Sequence, residues 1–462
     1  MMKVTLAGFN VDTVVSDQLK NRAQVTPEIL SAAYARISRS KKSVTQLREQ
    51  ARDEVEKARK SNEMIIFEMG HSSVAEHAVF NFDIIGISRY LVETIERSRL
   101  ASFTEKSQRY VTLDGDFVLP EEIEGTSLEG EFTALITRQN HLYETLYNRA
   151  KEHLDAIGWK GTPRERFGRA KEDARYVLSL ATKTQLGMTI NARSLEGLLR
   201  RLDASPLAEA KALKVALEQQ VASVAPSLIR YTKAEAFTTE MSQRLPHIPD
   251  LPDNTAMEML GHSAFPEESI LASLLFEKYG HDPVLIKNWV HDRSNDEKAA
   301  IFDELFQGMK SYHSVPRAFE IAYFTFKLVI SSSCFGQLKR HRMSTILPTT
   351  YHPDRGYVVP PLLHDIGAEA EIALLMRKVD ALYFALDAIK PGLGSYILTN
   401  SHKIGVIFKA NLRELYHFTR LRSDSHSQWE IREVSLQIEK WARDVCPNAA
   451  KYLMGKDAFN SQ

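Results

Sequence analysis

Cysteine is scarce in this 462-residue chain, which contains only Cys334 and Cys446. The two residues lie far apart, and neither has a second cysteine at the short spacing typical of zinc or redox motifs. The sequence therefore predicts neither a disulfide framework nor a zinc site, and no metal centre is expected. We expect both thiols to pack as small buried hydrophobic groups.

The chain also lacks net charge, because Lys plus Arg and Asp plus Glu both number 59. This balance provides no overall attraction to nucleic acid or to an anionic membrane, so neither is expected as a partner. Long hydrophobic runs are missing too, since no stretch approaches the roughly 20 apolar residues of a membrane span. Residues 1–7 have no apolar segment with a small-residue cleavage site, and we expect a cytoplasmic protein.

An internal repeat organises the sequence. The segment N-A-R-S-L at residues 191–195, followed by Arg200, returns as N-L-R-E-L at residues 411–415, followed by Arg420. Upstream, R-S-R-L-A-S begins at residue 97 and R-H-R-M-S-T begins at residue 340, in the same order. The spacing differs between the two pairs, so we infer two copies that have diverged by insertion and deletion, which loops absorb.

Three prolines separate the copies. Pro246, Pro249 and Pro252 occur in a segment that can continue neither a helix nor a central strand. We therefore predict a first domain at residues 1–240, a linker at 241–252 and a second domain at 253–462.

The periodicity of apolar residues indicates an α+β fold. Residues 195–224 and 414–445 carry apolar side chains at intervals of three and four, which predicts long packed amphipathic helices. Residues 78–85 and 321–328 are rich in aromatic and branched apolar side chains, which is typical of half-buried strands.

Arginines and hydroxyls are concentrated in residues 97–110, which read R-S-R-L-A-S-F-T-E-K-S-Q-R-Y. A guanidinium group can bind two phosphate oxygens at once, and hydroxyls add neutral hydrogen bonds. A carboxylate can orient an arginine or bind a ribose hydroxyl. The cluster favours a site for a phosphorylated ligand, although a solvated helix end with surface ion pairs has the same composition.

This segment resembles the signature R-H-R-x-x-S-x-N-E-x-S-x-R-Y of the flavin-dependent thymidylate synthases. The matching positions are Arg97, Arg99, Ser102, Glu105, Ser107, Arg109 and Tyr110. Ser98 and Thr104 replace a histidine and an asparagine of the motif. Residues 71–77, H-S-S-V-A-E-H, resemble the H-x-x-x-x-E-H element of the same family. The resemblance implies two tandem copies of that fold, each a mainly antiparallel sheet packed with long helices.

The two copies depart from the family in complementary ways. In the first, Leu202 occupies the position of the arginine that activates the uracil ring, and Arg200 or Arg201 could replace it only in a different helix register. In the second copy, the R-H-R motif is intact and Arg422 occupies the activating position. The nucleotide loop of that copy is degraded; its replacements are Leu347, Pro348, Thr350, His352 and Pro353.

The resemblance assigns roles to residues of both halves. The catalytic residue would be Arg422. The substrate-binding residues would be Arg97, Glu105, Lys106, Ser107, Gln108, Arg109, Arg175 and Gln337. The cofactor-binding residues would be Ser73, Arg97, Arg99, Arg340, His341, Arg342, Asn411, Arg413 and His417. For Arg175, a structural salt bridge is an equal alternative.

Members of this family are homotetramers whose active sites draw residues from several subunits. The resemblance therefore implies a composite site shared by the two halves, and a homodimer that imitates the family tetramer. The implied reaction methylates deoxyuridine monophosphate (dUMP) with methylenetetrahydrofolate and NADPH, using FAD.

Three alternatives remain at the level of sequence. The enzyme could use flavin on a different pyrimidine nucleotide, or the chain could be a non-catalytic nucleotide-binding or scaffold homologue. The two copies could also have decayed independently, which would make the retained residues structural. The sequence of residues 253–312 gives no indication of a function.

Overall fold

A computed structural model of the chain describes residues 1–11, 26–37, 40–108, 115–246, 248 and 256–460. The chain divides into two compact units. The first unit consists of Met1–Leu251 and Val359–Asn400, and the second of Pro252–Val358 and Ser401–Gln462. Each unit contains a four-stranded sheet, and every pairing between adjacent strands is antiparallel. The mixture of helices and antiparallel sheets confirms the predicted α+β class.

The first unit is built on the strands β1 (Lys3–Phe9), β2 (Val79–Ser88), β3 (Ala101–Glu105) and β4 (Lys183–Asn191), in the order β1-β2-β4-β3. Its helices in the amino-terminal half are α1 (Glu28–Ala35), α2 (Val44–Asp53), α3 (Val55–Glu63), α4 (Arg89–Glu96), α5 (Ser127–Ala156), α6 (Pro163–Ala174), α7 (Ala192–Ala204), α8 (Ala208–Ala222) and α9 (Ala236–Gln243).

The second unit repeats this arrangement with β5 (Glu258–His262), β6 (Tyr323–Ser331), β7 (Thr345–Pro348) and β8 (Lys403–Asn411), in the order β5-β6-β8-β7. The remaining helices are α10 (Pro266–Tyr279), α11 (Pro283–His291), α12 (Asn295–Leu305), α13 (Ser332–Leu338), α14 (Pro361–Asp365), α15 (Glu369–Ile389), α16 (Leu412–Arg422), α17 (Trp429–Val445) and α18 (Lys456–Asn460). Of these, α14 and α15 belong to the first unit.

Residues 359–400 pack with the first unit. The predicted sequence boundaries assign them to the second domain. The amide of Gln139 in α5 donates to the carbonyl oxygen of Ile397 at 3.0 Å, and Arg149 of the same helix forms an ion pair with Glu371 in α15. These contacts join the two segments, so the compact units differ from the predicted sequence boundaries.

The two units also repeat a buried contact between a serine and a glutamate. Ser88 ends β2 and donates from its backbone N–H and its hydroxyl to Glu209 of α8, at 2.7 and 2.6 Å. In the second unit, Ser331 ends β6 and makes the same two bonds to Glu430 of α17, with 2.8 Å for the backbone bond. In each copy, the end of the equivalent strand is thus hydrogen-bonded to the equivalent helix.

The predicted strands are confirmed as β2 and β6, but each of the two long predicted helices is interrupted. Residues 195–224 form α7 and α8, with Pro206 between them, because proline lacks the N–H that a continuous helix needs. Residues 414–445 form α16 and α17, separated by the polar segment 423–428. In the linker region, α9 extends to Gln243, whereas Pro249 and Pro252 lie outside the described residues.

No helix in the described part of the chain is both long enough and apolar enough to cross a membrane. Both cysteines are buried, as the sequence predicted.

Glu209 should make a measurable contribution to stability. Besides the two bonds from Ser88, its carboxylate accepts one from the hydroxyl of Tyr396 at 2.6 Å, and both donor residues are buried. Alanine would leave these donors unsatisfied, so Glu209→Ala should lower the free energy of unfolding by about 1–3 kcal/mol in chemical denaturation. Glu209→Gln keeps an acceptor and should lose less; equal losses would contradict this account.

The same residue predicts a pH dependence. Burial raises the pKa of Glu209, so the folded protein holds this proton more tightly than the unfolded chain does. The contribution of Glu209 to stability should therefore fall as pH rises from the ordinary glutamate pKa through the raised one. Because Glu209→Gln cannot titrate, the difference in unfolding free energy between the native protein and this variant should shrink across that window. Parallel curves would refute the shift.

Candidate active site

A cavity of about 480 Å³ in the second unit gathers three of the predicted cofactor residues. Asn411, Arg413 and His417 all line it, and Asn411 marks the junction of β8 with α16. The side-chain oxygen of Asn411 accepts from the backbone N–H of Glu414 at 2.8 Å, which caps the helix. The first turns of α16 therefore supply one wall of the cavity.

Arg413 is held in place within this wall. Its Nη1 lies 3.0 Å from Glu320, and its Nε donates to the carbonyl oxygen of Val315 at 3.0 Å. The first unit has the equivalent ion pair, between Arg193 and Glu76 at 2.6 Å. Since this pair occurs in both copies, part of its role is structural.

His341 lies at the centre of a hydrogen-bonded chain behind the cavity. Its side chain is buried, and its ring packs 4.8 Å from that of Phe418. Nδ1 lies 3.2 Å from Glu414, and Nε2 accepts from the Nε of Arg422 at 3.0 Å. Burial, followed by the charge of Arg422, lowers the pKa of His341. A neutral imidazole with its proton on Nδ1 satisfies both contacts.

The same chain fixes Arg422, the predicted catalytic residue. Its Nη2 donates to the backbone carbonyl of Gln337 at 3.2 Å, so two contacts orient the guanidinium at the end of α16. The side chain of Gln337 is buried and lies 3.4 Å from that of Gln428. Arg340 and Arg342, which flank His341, are exposed. The structure thus brings Gln337, His341 and Arg422 together.

The first unit has a related contact with different residues. Ser98 stands where the second unit has His341, and its buried hydroxyl accepts a hydrogen bond from Arg201. Leu202, which aligns with Arg422, is fully buried in the core instead. Burial, together with the neighbouring charges of Arg97 and Arg200, lowers the pKa of Arg201 to about 10. The first unit therefore keeps a contact between an arginine of the helix and the residue equivalent to His341, but this arginine lies one position earlier than the one aligned with Arg422. The starts of the two helices are equivalent, because Asn191 caps α7 just as Asn411 caps α16.

The predicted nucleotide residues of the first unit fall into two groups. Glu105 is engaged internally, because it forms a 3.1 Å ion pair with Arg89 and accepts from the hydroxyl of Thr184 at 3.2 Å. Lys106 and Ser107 are half-buried next to it, whereas Arg97, Arg99 and Ser73 are exposed. Arg109 lies outside the described residues.

The second group is joined by Asn400, a residue that no sequence motif marks as part of the site. The amide nitrogen of Asn400 donates to the side-chain oxygen of Gln108 at 3.1 Å and to the backbone oxygen of Arg175 at 2.9 Å. All three residues are buried. Within the described chain, Nε2 of Gln108 and Oδ1 of Asn400 have no hydrogen-bond partner. This pair of unsatisfied groups is the kind of feature that a polar ligand would complete.

The neutral state of His341 can be tested by its titration. Arg422→Leu removes the positive charge next to the ring and should raise the pKa of His341, whereas Glu414→Gln removes the negative charge and should lower it further. Histidine-resolved NMR titration of the two variants measures both shifts. Shifts in the same direction would mean that repacking, rather than charge, controls the ring.

Comparison with known families gives a match in two separate segments. The family model described as thymidylate synthase complementing protein matches residues 22–227 and 274–448, which together span well over half of the chain. One segment lies in each half of the sequence, as two copies require.

Several individual proteins are similar to this chain. The UPF0159 protein Ta1429 of Thermoplasma acidophilum is 23% identical over 433 residues, which cover 84% of this chain and 86% of that protein. The flavin-dependent thymidylate synthase of Clostridium tetani is 31% identical over 209 residues, covering 45% of this chain and 82% of its own length. Among solved structures, ThyX of Helicobacter pylori, complexed with FAD and dUMP, aligns over 50% of this chain and 99% of its own, at 20% identity and a TM-score of 0.31.

The family match in both halves and the repeated strand order lead to one conclusion: the chain belongs to the thymidylate synthase complementing protein family, that of the flavin-dependent thymidylate synthases, and carries two diverged copies of its fold.

Proposed function

We propose that this protein is a flavin-dependent enzyme of the thymidylate synthase type, which methylates dUMP with methylenetetrahydrofolate and NADPH. The observation that carries the proposal is the placement of Arg422, which is oriented by His341 and by the carbonyl of Gln337. These contacts orient a guanidinium before any ligand arrives, as stabilisation of charge in a transition state requires. The proposal places the enzyme in the cytoplasm, as a homodimer.

The residues that line the second unit's cavity fit a flavin. A volume of about 480 Å³ falls in the usual range of small-molecule sites, and Asn411, Arg413 and His417 offer an amide, a guanidinium and an imidazole. In this proposal these side chains, together with Arg340 and Arg342, hold FAD, whereas both ring nitrogens of His341 are already engaged by Glu414 and Arg422. When bound, FAD supplies the chemistry that relays the methylene carbon from the folate to C5 of the pyrimidine.

Arg422 acts on the pyrimidine in this scheme. Its guanidinium stabilises the negative charge that develops on the ring as C5 becomes nucleophilic. His341 acts through Arg422: because its pKa is lowered, it remains neutral near pH 7 and offers Nε2 as an acceptor. A charged imidazole would repel the guanidinium and could not accept its hydrogen bond. His341 is therefore a positioning residue.

The first unit contributes the nucleotide contacts. Gln108 and Arg175, joined by Asn400, would bind the nucleotide with Ser107 and Arg109, and the unsatisfied Nε2 of Gln108 is available to an acceptor on the ligand. Each half thus keeps residues that the other has lost, and we propose that the activity requires both. The sequence changes are then specialisation rather than independent decay.

A second candidate is a flavin enzyme that acts on a different pyrimidine nucleotide. Two features of the first unit favour it: Ser98 is bonded to Arg201, and Glu105 is engaged with Arg89. Both contacts engage positions that the family motif assigns to ligand binding, namely those of Ser98 and Glu105. Turnover of uridine or cytidine monophosphates in preference to dUMP would support this candidate.

The proposal predicts that Arg422→Ala abolishes most activity. Purified protein with FAD, methylenetetrahydrofolate and NADPH should convert dUMP to thymidylate, and the variant should lower kcat about 100-fold, as loss of one transition-state donor does. As a control, Arg293→Ala removes the same positive charge from the turn between α11 and α12, where Arg293 pairs with Glu297. This variant should retain native activity. Native turnover by Arg422→Ala, or native protein that leaves the visible spectrum of added FAD unchanged, would contradict the proposal.

The contribution of the first half is tested separately. Arg175→Ala should raise the KM for dUMP, because this variant loses a guanidinium proposed to bind the nucleotide, while the flavin spectrum should be unchanged. Steady-state kinetics and a FAD titration of the same preparation measure the two effects. An unchanged KM would assign Arg175 to a purely structural role.

A further inference from the structure

Arg420 lines the same cavity as the proposed flavin residues but has no part in the mechanism above. It lies on α16, between His417 and Arg422. Its Nη1 donates to the backbone carbonyl of Ser311, and its guanidinium lies 4.7 Å from the ring centroid of Phe459. The position of Arg420 is therefore fixed at the wall of the cavity.

Within the described part of the chain, no ion pair neutralises the charge of Arg420. No carboxylate of the described residues pairs with Arg420, and its Nε is buried without a hydrogen-bond partner among them. Burial lowers the pKa of this guanidinium. A cation that loses hydration without gaining a counter-ion costs free energy, so an anion that reached Arg420 would recover part of that cost.

The first unit shows that this situation is not imposed by the fold. Arg200 is the counterpart of Arg420, since each follows the capping asparagine by the same number of residues. Arg200 pairs with Glu196 at 3.5 Å and with Glu235 at 3.4 Å. At the position of Glu196 the second unit has Tyr416. The second copy has therefore lost the neutralising carboxylate where its arginine faces a cavity.

Tyr416 cannot replace that carboxylate. Its hydroxyl donates to the backbone oxygen of Ala449 at 2.7 Å, and burial raises its pKa, so the phenol stays neutral. The two glutamates that line the cavity are also engaged. Glu320 pairs with Arg413, and Glu414 contacts His341. Of the two arginines among the described residues that line this cavity, Arg420 is thus the one without a carboxylate partner.

We propose that Arg420 binds a phosphate group of a dinucleotide in this cavity, beyond the residues that the family motif supplies. The inference rests on the proposed function in one respect, because FAD and NADPH are the two dinucleotides of that reaction and either could supply the phosphate. Tyr312, an exposed aromatic side chain at the cavity, suits a planar ring of such a ligand. Guanidinium–phosphate bonds are short and charge-assisted, which gives the interaction its strength.

The probe for this site is ADP, whose adenosine diphosphate group occurs in both dinucleotides. Isothermal titration of the full-length protein should show that Arg420→Ala weakens ADP binding at least about tenfold, the loss expected for a hydrogen bond to a charged group. Adenosine, which has no phosphate, should bind equally to both proteins. Arg420→Gln can still donate to Ser311 and tests the charge if the alanine variant is unstable; it should match Arg420→Ala.

Arg200→Ala is the matched control, because it removes the equivalent arginine from a position already neutralised by carboxylates. It should leave ADP affinity unchanged. Separate titrations with FAD and with NADPH then identify the source of the phosphate, since Arg420→Ala should weaken binding of the dinucleotide that occupies this cavity.

The inference is overturned if native protein fails to bind ADP, if Arg420→Ala and native protein bind it equally, or if Arg200→Ala weakens binding as much as Arg420→Ala does. These outcomes are distinct from failure of the proposed function. Thymidylate formation with ADP affinity independent of Arg420 would overturn this inference alone. Conversely, Arg420-dependent ADP binding in a protein that forms no thymidylate would overturn the proposed function alone.

Discussion

The junction between the last long strand and the following helix determines the geometry of each unit. Asn191 ends β4 and caps α7, and Asn411 ends β8 and caps α16, each by accepting a backbone N–H three residues on, at 2.8 Å. No loop intervenes, so strand pairing fixes the start of the helix and the helical repeat fixes the direction of every later side chain. The cavity wall at Arg413, the contact of Glu414 with His341 and the position of Arg422 all depend on this junction.

Because the junction is preserved, the copies differ mainly in which side chains occupy equivalent positions. The sheets have the same order, and the same serine–glutamate contact attaches α8 and α17 to their strands. Against this common scaffold, His341 in one unit corresponds to Ser98 in the other. A serine hydroxyl is shorter than an imidazole, and a different arginine of the helix, Arg201, makes the contact. The fold is therefore insensitive to substitutions that alter the chemistry of the site.

Sequence patterns predicted those parts of the structure that depend on local order. The strands β2 and β6 and the α+β class followed from the periodicity and composition of apolar residues, because these reflect local structure. The grouping of Asn411, Arg413 and His417 came from the family resemblance, and their role in binding a cofactor remains a prediction. The breaks after α7 and α16 were missed, since the apolar periodicity continues across them. Pro206 was a visible signal for the first break.

The role of Asn400 could not be predicted in the same way. Residues 359–400 pack with the first unit, far along the chain from the residues they contact, and no local pattern records this pairing. Arg201 was considered in the sequence only for a different helix register. The structure keeps the register and lets the side chain reach Ser98, which depends on rotamer and packing rather than on spacing.

The positive charges on the equivalent helices α7 and α16 are compensated differently in the two copies. In the first unit, Arg200 is neutralised by two glutamates, while the neighbouring Arg201 is partly buried, bonded to the neutral Ser98 and next to Arg97. In the second unit, Arg420 lies on the equivalent helix without a carboxylate partner among the described residues. Each copy therefore keeps a costly positive charge on the same helix, but at different positions. Stability alone would favour a neutralised Arg420, so its position at the cavity is consistent with the proposal that an anionic ligand supplies the compensating charge.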